Sequence, residues 1–245
     1  MKNYGIKHYA LYGIIALPLI LLLTMVGPIT QSQAYHHFAD DNFFLGVPNF
    51  HNVISNLFFI IFPIIGFLHV KNGESRMTPS WFVYLIGVLF VGPGSAYYHY
   101  NPNDMTLIWD RLPMTIGFMG LASFVFTDIF KIKKEVPFLI LLLAIGFYSI
   151  FHWVQFQDLR IYYWVQLTPL LAIIYAAFAL PTPVLKPKHL LFAVVFYIFA
   201  KITEKYDHQF LDSINYSGHS VKHLLAGVSV YALILMKRNQ TKKDR

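Results

Sequence analysis

Apolar positions in this chain come in long unbroken runs, not in the alternation of a strand or the one-sided stripe of a soluble helix. A helix rises 1.5 Å per residue, so about 20 apolar residues cross the hydrocarbon of a bilayer. The runs predict eight spans, near residues 10–29, 50–70, 81–99, 112–130, 136–154, 162–180, 189–206 and 219–236. The seventh has the shortest apolar core, LLFAVVFYIFA, which leads directly into KITEKYD. Connections are short and no internal repeat is visible, so the expected architecture is one all-α membrane bundle. The first span has a basic start, an apolar run and small residues at Ser32 and Ala34, as a cleavable signal peptide would. Its length of about 20 residues and Pro18 favour a retained helix.

Composition agrees. The 245 residues are 56% hydrophobic and 13% charged, against about 25% charged in a soluble domain. The 18% of aromatic residues fits a chain with two membrane interfaces. The net charge of +7 has a topological reading that needs no nucleic-acid partner. With the N-terminus in the cytoplasm, 14 of the 19 Lys and Arg fall on inner segments, including the tail KRNQTKKDR. Such a bias is the positive-inside pattern, and it puts both termini in the cytoplasm of a cell membrane. The chain has no cysteine, which removes disulfides and thiolate chemistry together.

The same topology collects polar chemistry at the outer face, where His36, His37, His51, His99, His152, His208, His219 and His223 are expected. Ser95 and His99 are four apart at the end of the third span, and His219 and His223 four apart at the start of the eighth. Residues i and i+4 share a helix face, so both pairs can look into one cavity, with Asp110 at the same depth. Three imidazoles suit zinc and leave a fourth position for water, whose pKa such a metal lowers to about 7. This predicts His99, His219 and His223 as metal ligands, Asp110 as base and Ser95 as oxyanion donor. Each residue also has a structural alternative. The histidines can bond to backbone or lipid headgroups. Asp110 can cap a helix whose first turn holds Pro113. Ser95 can bond back to its own helix. Gly92, Pro93 and Gly94 can kink the helix or admit close packing. Lys222 can snorkel to the interface.

The segment GSAYYHYNPNDMTLIWDRLPM resembles the glycine-serine, histidine, aspartate and LPM signature of alkaline ceramidases. SGHSVKHLLAG resembles their C-terminal HxxxH, and PNFHNVISNLFFI the NxxSNL that opens their first helix. These motifs span about residues 48–227, in order. They extend to the superfamily that also holds progestin and adiponectin receptors and GPI-anchor remodelling proteins. The resemblance implies seven transmembrane helices in residues 36–245, with residues 1–35 as an added N-terminal helix or signal-like anchor. It implies zinc on the three histidines and hydrolysis of a lipid amide to a long-chain amine and a fatty acid. Eukaryotic members bind calcium through an acidic N-terminal segment. Here that region is HHFADDNFFLGVPNF, with Asn49 in place of a glutamate, and the chain reads as a bacterial-type member. Two other readings stay open: a zinc-containing lipid sensor without hydrolysis, and a zinc ester hydrolase acting on phospholipid or lipid anchors.

Overall fold

The computed structural model describes residues 2–238, so the tail residues Lys242, Lys243 and Arg245 lie outside the described residues. Ten α-helices are present there: α1 (Lys2–Met25), α2 (Phe50–Ile54), α3 (Phe58–Lys71), α4 (Pro79–Tyr100), α5 (Asp104–Phe130), α6 (Glu135–Phe156), α7 (Arg160–Ala179), α8 (Pro187–Lys205), α9 (Asp207–Ile214) and α10 (Gly218–Arg238). A tightened turn at Ser55–Leu57 joins α2 to α3 in one element, and another short turn covers Gln33–His36. No strand occurs among the described residues.

Among the described residues, six helices are long and apolar enough to cross a membrane: Phe50–Lys71, Pro79–Tyr100, Asp104–Phe130, Glu135–Phe156, Arg160–Ala179 and Gly218–Arg238. The chain is an integral membrane protein on this evidence. Of the eight expected spans, the first and seventh are outside that set. In α1 the apolar stretch is the shorter Tyr9–Met25, and α8 carries Lys188, Lys201, Glu204 and Lys205. The fourth span also begins earlier than expected, at Asp104 instead of residue 112.

Local chemistry explains the boundaries. Thr78 caps α4, accepting from Trp81 N–H, with Pro79 in the first turn. Asn103 caps α5 by accepting from the N–H groups of Met105 and Thr106, while Thr106 Oγ1 accepts from Asn103 N–H. This reciprocal capping box starts the helix through a polar stretch that apolarity alone would have left as a loop. The helix stops at Lys131, whose φ of 52° is left-handed.

Packing runs α3–α4–α5–α7–α8–α10 and back to α3, a closed ring with α6 outside α5 and α1 outside α7. The α4–α5 interface is the most extensive among the described residues, and glycines make it possible. A Cβ on Gly87 would lie 2.3 Å from Gly117 N, and one on Gly94 would lie 2.1 Å from the Trp109 carbonyl oxygen. A Cβ on Gly120 would lie 2.6 Å from Tyr84 N. Thus the glycines around Pro93 serve close packing, as small residues do between membrane helices.

Residues 26–40 form an arm across one end of this ring. Ile29 N–H donates to Asp158 Oδ1 at 3.2 Å, and Leu159 N–H donates to the Ile29 carbonyl at 2.8 Å. Arg160 Nη1 donates to the Val26 carbonyl at 2.7 Å. Burial alone would raise the Asp158 carboxyl, but hydrogen bonds from Arg160 and Ile29 hold it below its ordinary range. This anchor therefore contributes stability at neutral pH and loses it as pH falls through that lowered value.

The α4–α5 contact gives the first prediction. Gly87→Ala and Gly94→Ala should each destabilise the detergent-solubilised protein by roughly 1–3 kcal/mol through overpacking, lowering its thermal midpoint. Gly13→Ala, where a Cβ would meet nothing within 4 Å, should not lower it. Equal midpoints in all three variants would contradict the packing role.

Candidate active site

The arm-covered end of the bundle gathers the polar residues. His99 comes from the last turn of α4, and His219 and His223 from the first turns of α10. All three are buried, and one ligand nitrogen from each lies within 4.8 Å of the others. Ring centroids are 4.8 Å apart for His99 and His219, and 5.0 Å for each pair involving His223. This is the one group among the described residues arranged to hold a metal ion.

The neighbours fix which nitrogens are available. Ser55 Oγ donates its single proton to the Asn52 carbonyl at 3.1 Å and lies 2.8 Å from His223 Nδ1. With the serine proton on that carbonyl, His223 donates from Nδ1 to Ser55, which leaves its Nε2 lone pair free. That Nε2 is buried without a hydrogen-bond partner, as are both ring nitrogens of His99. At His219, Nε2 faces the Lys222 ammonium at 3.0 Å. An ammonium only donates, so this nitrogen also holds a lone pair. His99 and His223 thus present orphaned buried nitrogens beside His219, whose Nε2 accepts from Lys222, and a divalent metal fits such a group better than a satisfied polar core, in which these atoms are paired.

A cavity of about 450 Å³ adjoins this group, lined by His223, Ser95, Asp110 and many apolar side chains. Ser95 on α4 and Asp110 on α5 line the same cavity wall. Neither residue takes the structural alternative open to it. Because α5 begins at Asp104 under the Asn103 cap, Asp110 sits almost two turns inside the helix and caps nothing. Ser95 lies next to Gly94, where α4 and α5 come together, and shares the cavity with Asp110.

Other expectations need revision. Lys222 does not snorkel outward. Its side chain is largely buried and pairs with Glu204 at 2.7 Å, beside His219. Lys201 pairs with the same carboxylate, and Tyr35 OH donates to it at 3.1 Å. Burial, then the Glu204 charge, holds the Tyr35 phenol well above its ordinary range, so it remains a donor. The Asp40 carboxylate accepts from Asn52 N–H at 2.8 Å and Asn42 Nδ2 at 2.9 Å, and faces His51 at 3.4 Å. Asn49 Nδ2 donates to the His99 carbonyl at 2.8 Å. Asp40, Asn42 and Asn49 of that acidic segment are thus engaged with the protein itself.

Several contributors had no separate sequence signal. Asp207 Oδ1 accepts from Ser217 Oγ at 2.6 Å and from His219 N–H at 2.9 Å, fixing the start of α10. Asn52 Oδ1 accepts from Ser220 Oγ at 2.7 Å. Ser55 lay inside a recognised motif, but its partner is 168 residues away. The spacing of Lys222, three residues after His219, did place both on one face.

Comparison with known families returns one described as Ceramidase, whose family model matches residues 42–243 of the chain. No curated protein matches it.

The Ser55 contact yields the second prediction. Ser55→Ala should weaken divalent-metal binding by about 10–100-fold, the usual worth of a partner that orients a ligand. Competition against a chelator, with Zn2+ as probe ion, measures this, and an unchanged affinity would remove Ser55 from the site.

Proposed function

Because the chain belongs to the ceramidase family, and so to hydrolases acting on amide bonds, we propose that it is a zinc-dependent intramembrane amidohydrolase that cleaves a ceramide-like lipid amide to a long-chain amine and a fatty acid. The observation that carries this reading is the set of orphaned imidazole nitrogens beside a cavity that also holds Ser95 and Asp110. His99, His219 and His223 would hold the zinc. Bound there, zinc supplies Lewis acidity toward an amide carbonyl and lowers the pKa of a water to about 7.

The chain's own groups do the rest. Asp110 accepts the proton of the attacking water and returns it to the leaving amine nitrogen, so one carboxylate serves both steps. Ser95 donates to Asp110 while that carboxylate is charged. Once Asp110 holds the proton it can donate to Ser95 Oγ, freeing the serine hydroxyl for the developing oxyanion. The acyl chain lies against the apolar wall, where Leu121 and Leu233 line the cavity. In this reading Asp40 is a structural carboxylate and not a calcium ligand.

In this reading residues 36–245 are the seven-helix catalytic domain, α8 joining the six apolar spans, and residues 1–35 are a retained extra helix with the first part of the arm. The charge bias supports cytoplasmic termini and a site on the outer, periplasmic side of a bacterial inner membrane.

Three measurements test the proposal. Protein purified in mild detergent should contain about one zinc per chain, as the three-histidine site requires, and release fatty acid from ceramide but not from a phospholipid. His99→Ala and His219→Ala should lose metal and activity together; full zinc occupancy in both would refute the ligand assignment. Asp110→Asn should keep its metal while turnover falls roughly 100- to 10,000-fold. Wild-type turnover in that variant would take Asp110 out of the mechanism.

A further inference from the structure

Arg111 follows Asp110 on α5 and lines the same cavity. It is 5% exposed, yet no carboxylate among the described residues forms an ion pair with it. The other cavity cations differ, since Lys201 and Lys222 share Glu204. Arg111 Nη2 donates to Gln31 Oε1 of the arm at 2.6 Å. The guanidinium lies 4.4 Å from the Trp153 ring centre, 4.8 Å from Tyr162 and 5.8 Å from Tyr35. Its Nη1 is buried with no hydrogen-bond partner.

A guanidinium keeps its charge at any ordinary pH, so it cannot relieve its burial by losing a proton. Aromatic faces offset only part of the desolvation. The fork suits a planar or tetrahedral oxyanion through two N–H directions. Here one arm is spent on a neutral amide and the other is unspent. Across the cavity, Arg111, Lys201 and Lys222 face the carboxylates of Asp110 and Glu204, a surplus of one positive charge.

We propose that Arg111 receives an oxyanion on the amine half of the substrate, so that the substrate class is an N-acylated long-chain amine with an anionic headgroup: a phosphate, sulfonate or carboxylate. This rests on the amidase reading above and narrows it. Asp110 and Arg111 are consecutive on one helix. In a 2-amino lipid the headgroup carbon is two bonds from the amide nitrogen, so two side chains that line one cavity can serve the two groups. The arm completes this end of the cavity, with Gln31 holding Arg111 and Tyr35 holding Glu204.

The test uses the full chain in a neutral detergent and a matched pair of ligands, an N-dodecanoyl 2-amino alcohol and its O-phosphate. Binding is read by tryptophan fluorescence, since Trp153 touches the guanidinium, and hydrolysis by release of dodecanoic acid. The phosphate should bind about 10–100-fold more tightly, the range of one charge-assisted hydrogen bond. Arg111→Gln should bring that ratio close to one. Equal binding of the two ligands by the wild-type protein overturns the proposal, and needs no variant to fold. A ratio that survives in Arg111→Gln also overturns it. Dodecanoic acid that binds as tightly as the phosphate, and loses as much in Arg111→Gln, assigns the site to the product carboxylate and overturns the headgroup assignment. Preferential binding with no acid released from either ligand keeps the anion site and refutes the amidase. Equal binding with equal hydrolysis does the reverse.

Discussion

Two buried carboxylates, Asp40 and Asp207, hold the candidate active site together. Asp207 accepts from Ser217, from His219 N–H and, through its other oxygen, from Ala39 N–H at 2.9 Å. Asp40 accepts from Asn52 N–H, and Asn52 in turn accepts from Ser220. The arm, α2, α9 and the start of α10 are thereby tied into one unit. A carboxylate against the first N–H groups of a helix also meets the positive end of its dipole. The stability of the imidazole cluster is therefore inherited. His223 is oriented by Ser55, Ser55 by the turn after Asn52, and Asn52 by Asp40.

The opposite wall depends on contact of another kind. Glycines between α4 and α5 let backbones meet, and this brings Ser95 against Asp110 across two helices. Apolar packing sets the distance there, whereas hydrogen bonds set the angles at α10. The cavity lies between the two, so its polar end is bounded by groups that answer to different physical forces.

Much of this was legible in the chain, because helical spacing is rigid. Four-residue separations put Ser95 with His99 and His219 with His223 on shared faces, and the α4–α5 connection is too short to separate them in depth. The rest depended on partners distant in sequence. Asp104, Asp110 and Arg111 interrupt the apolar run, which concealed the true start of α5, although Asn103 and Thr106 carried a capping signal. The Lys222–Glu204 pair joins residues 18 apart on different helices, and spacing alone could not turn that lysine inward. Apolarity also undervalued α8, where Lys201 and Glu204 pair with each other at the cavity lining instead of ending a span.

The arm has a consequence for how the molecule is made. Its hydrogen bonds join Ile29 to Asp158, Tyr35 to Glu204 and Ala39 to Asp207, across 129, 169 and 168 residues. These segments are synthesised before almost everything they touch. Contacts of such high sequence separation form late, because the intervening chain must first be ordered. The cavity therefore stays open along one side until α7, α8 and α9 are in place, and closing it is among the last events of assembly.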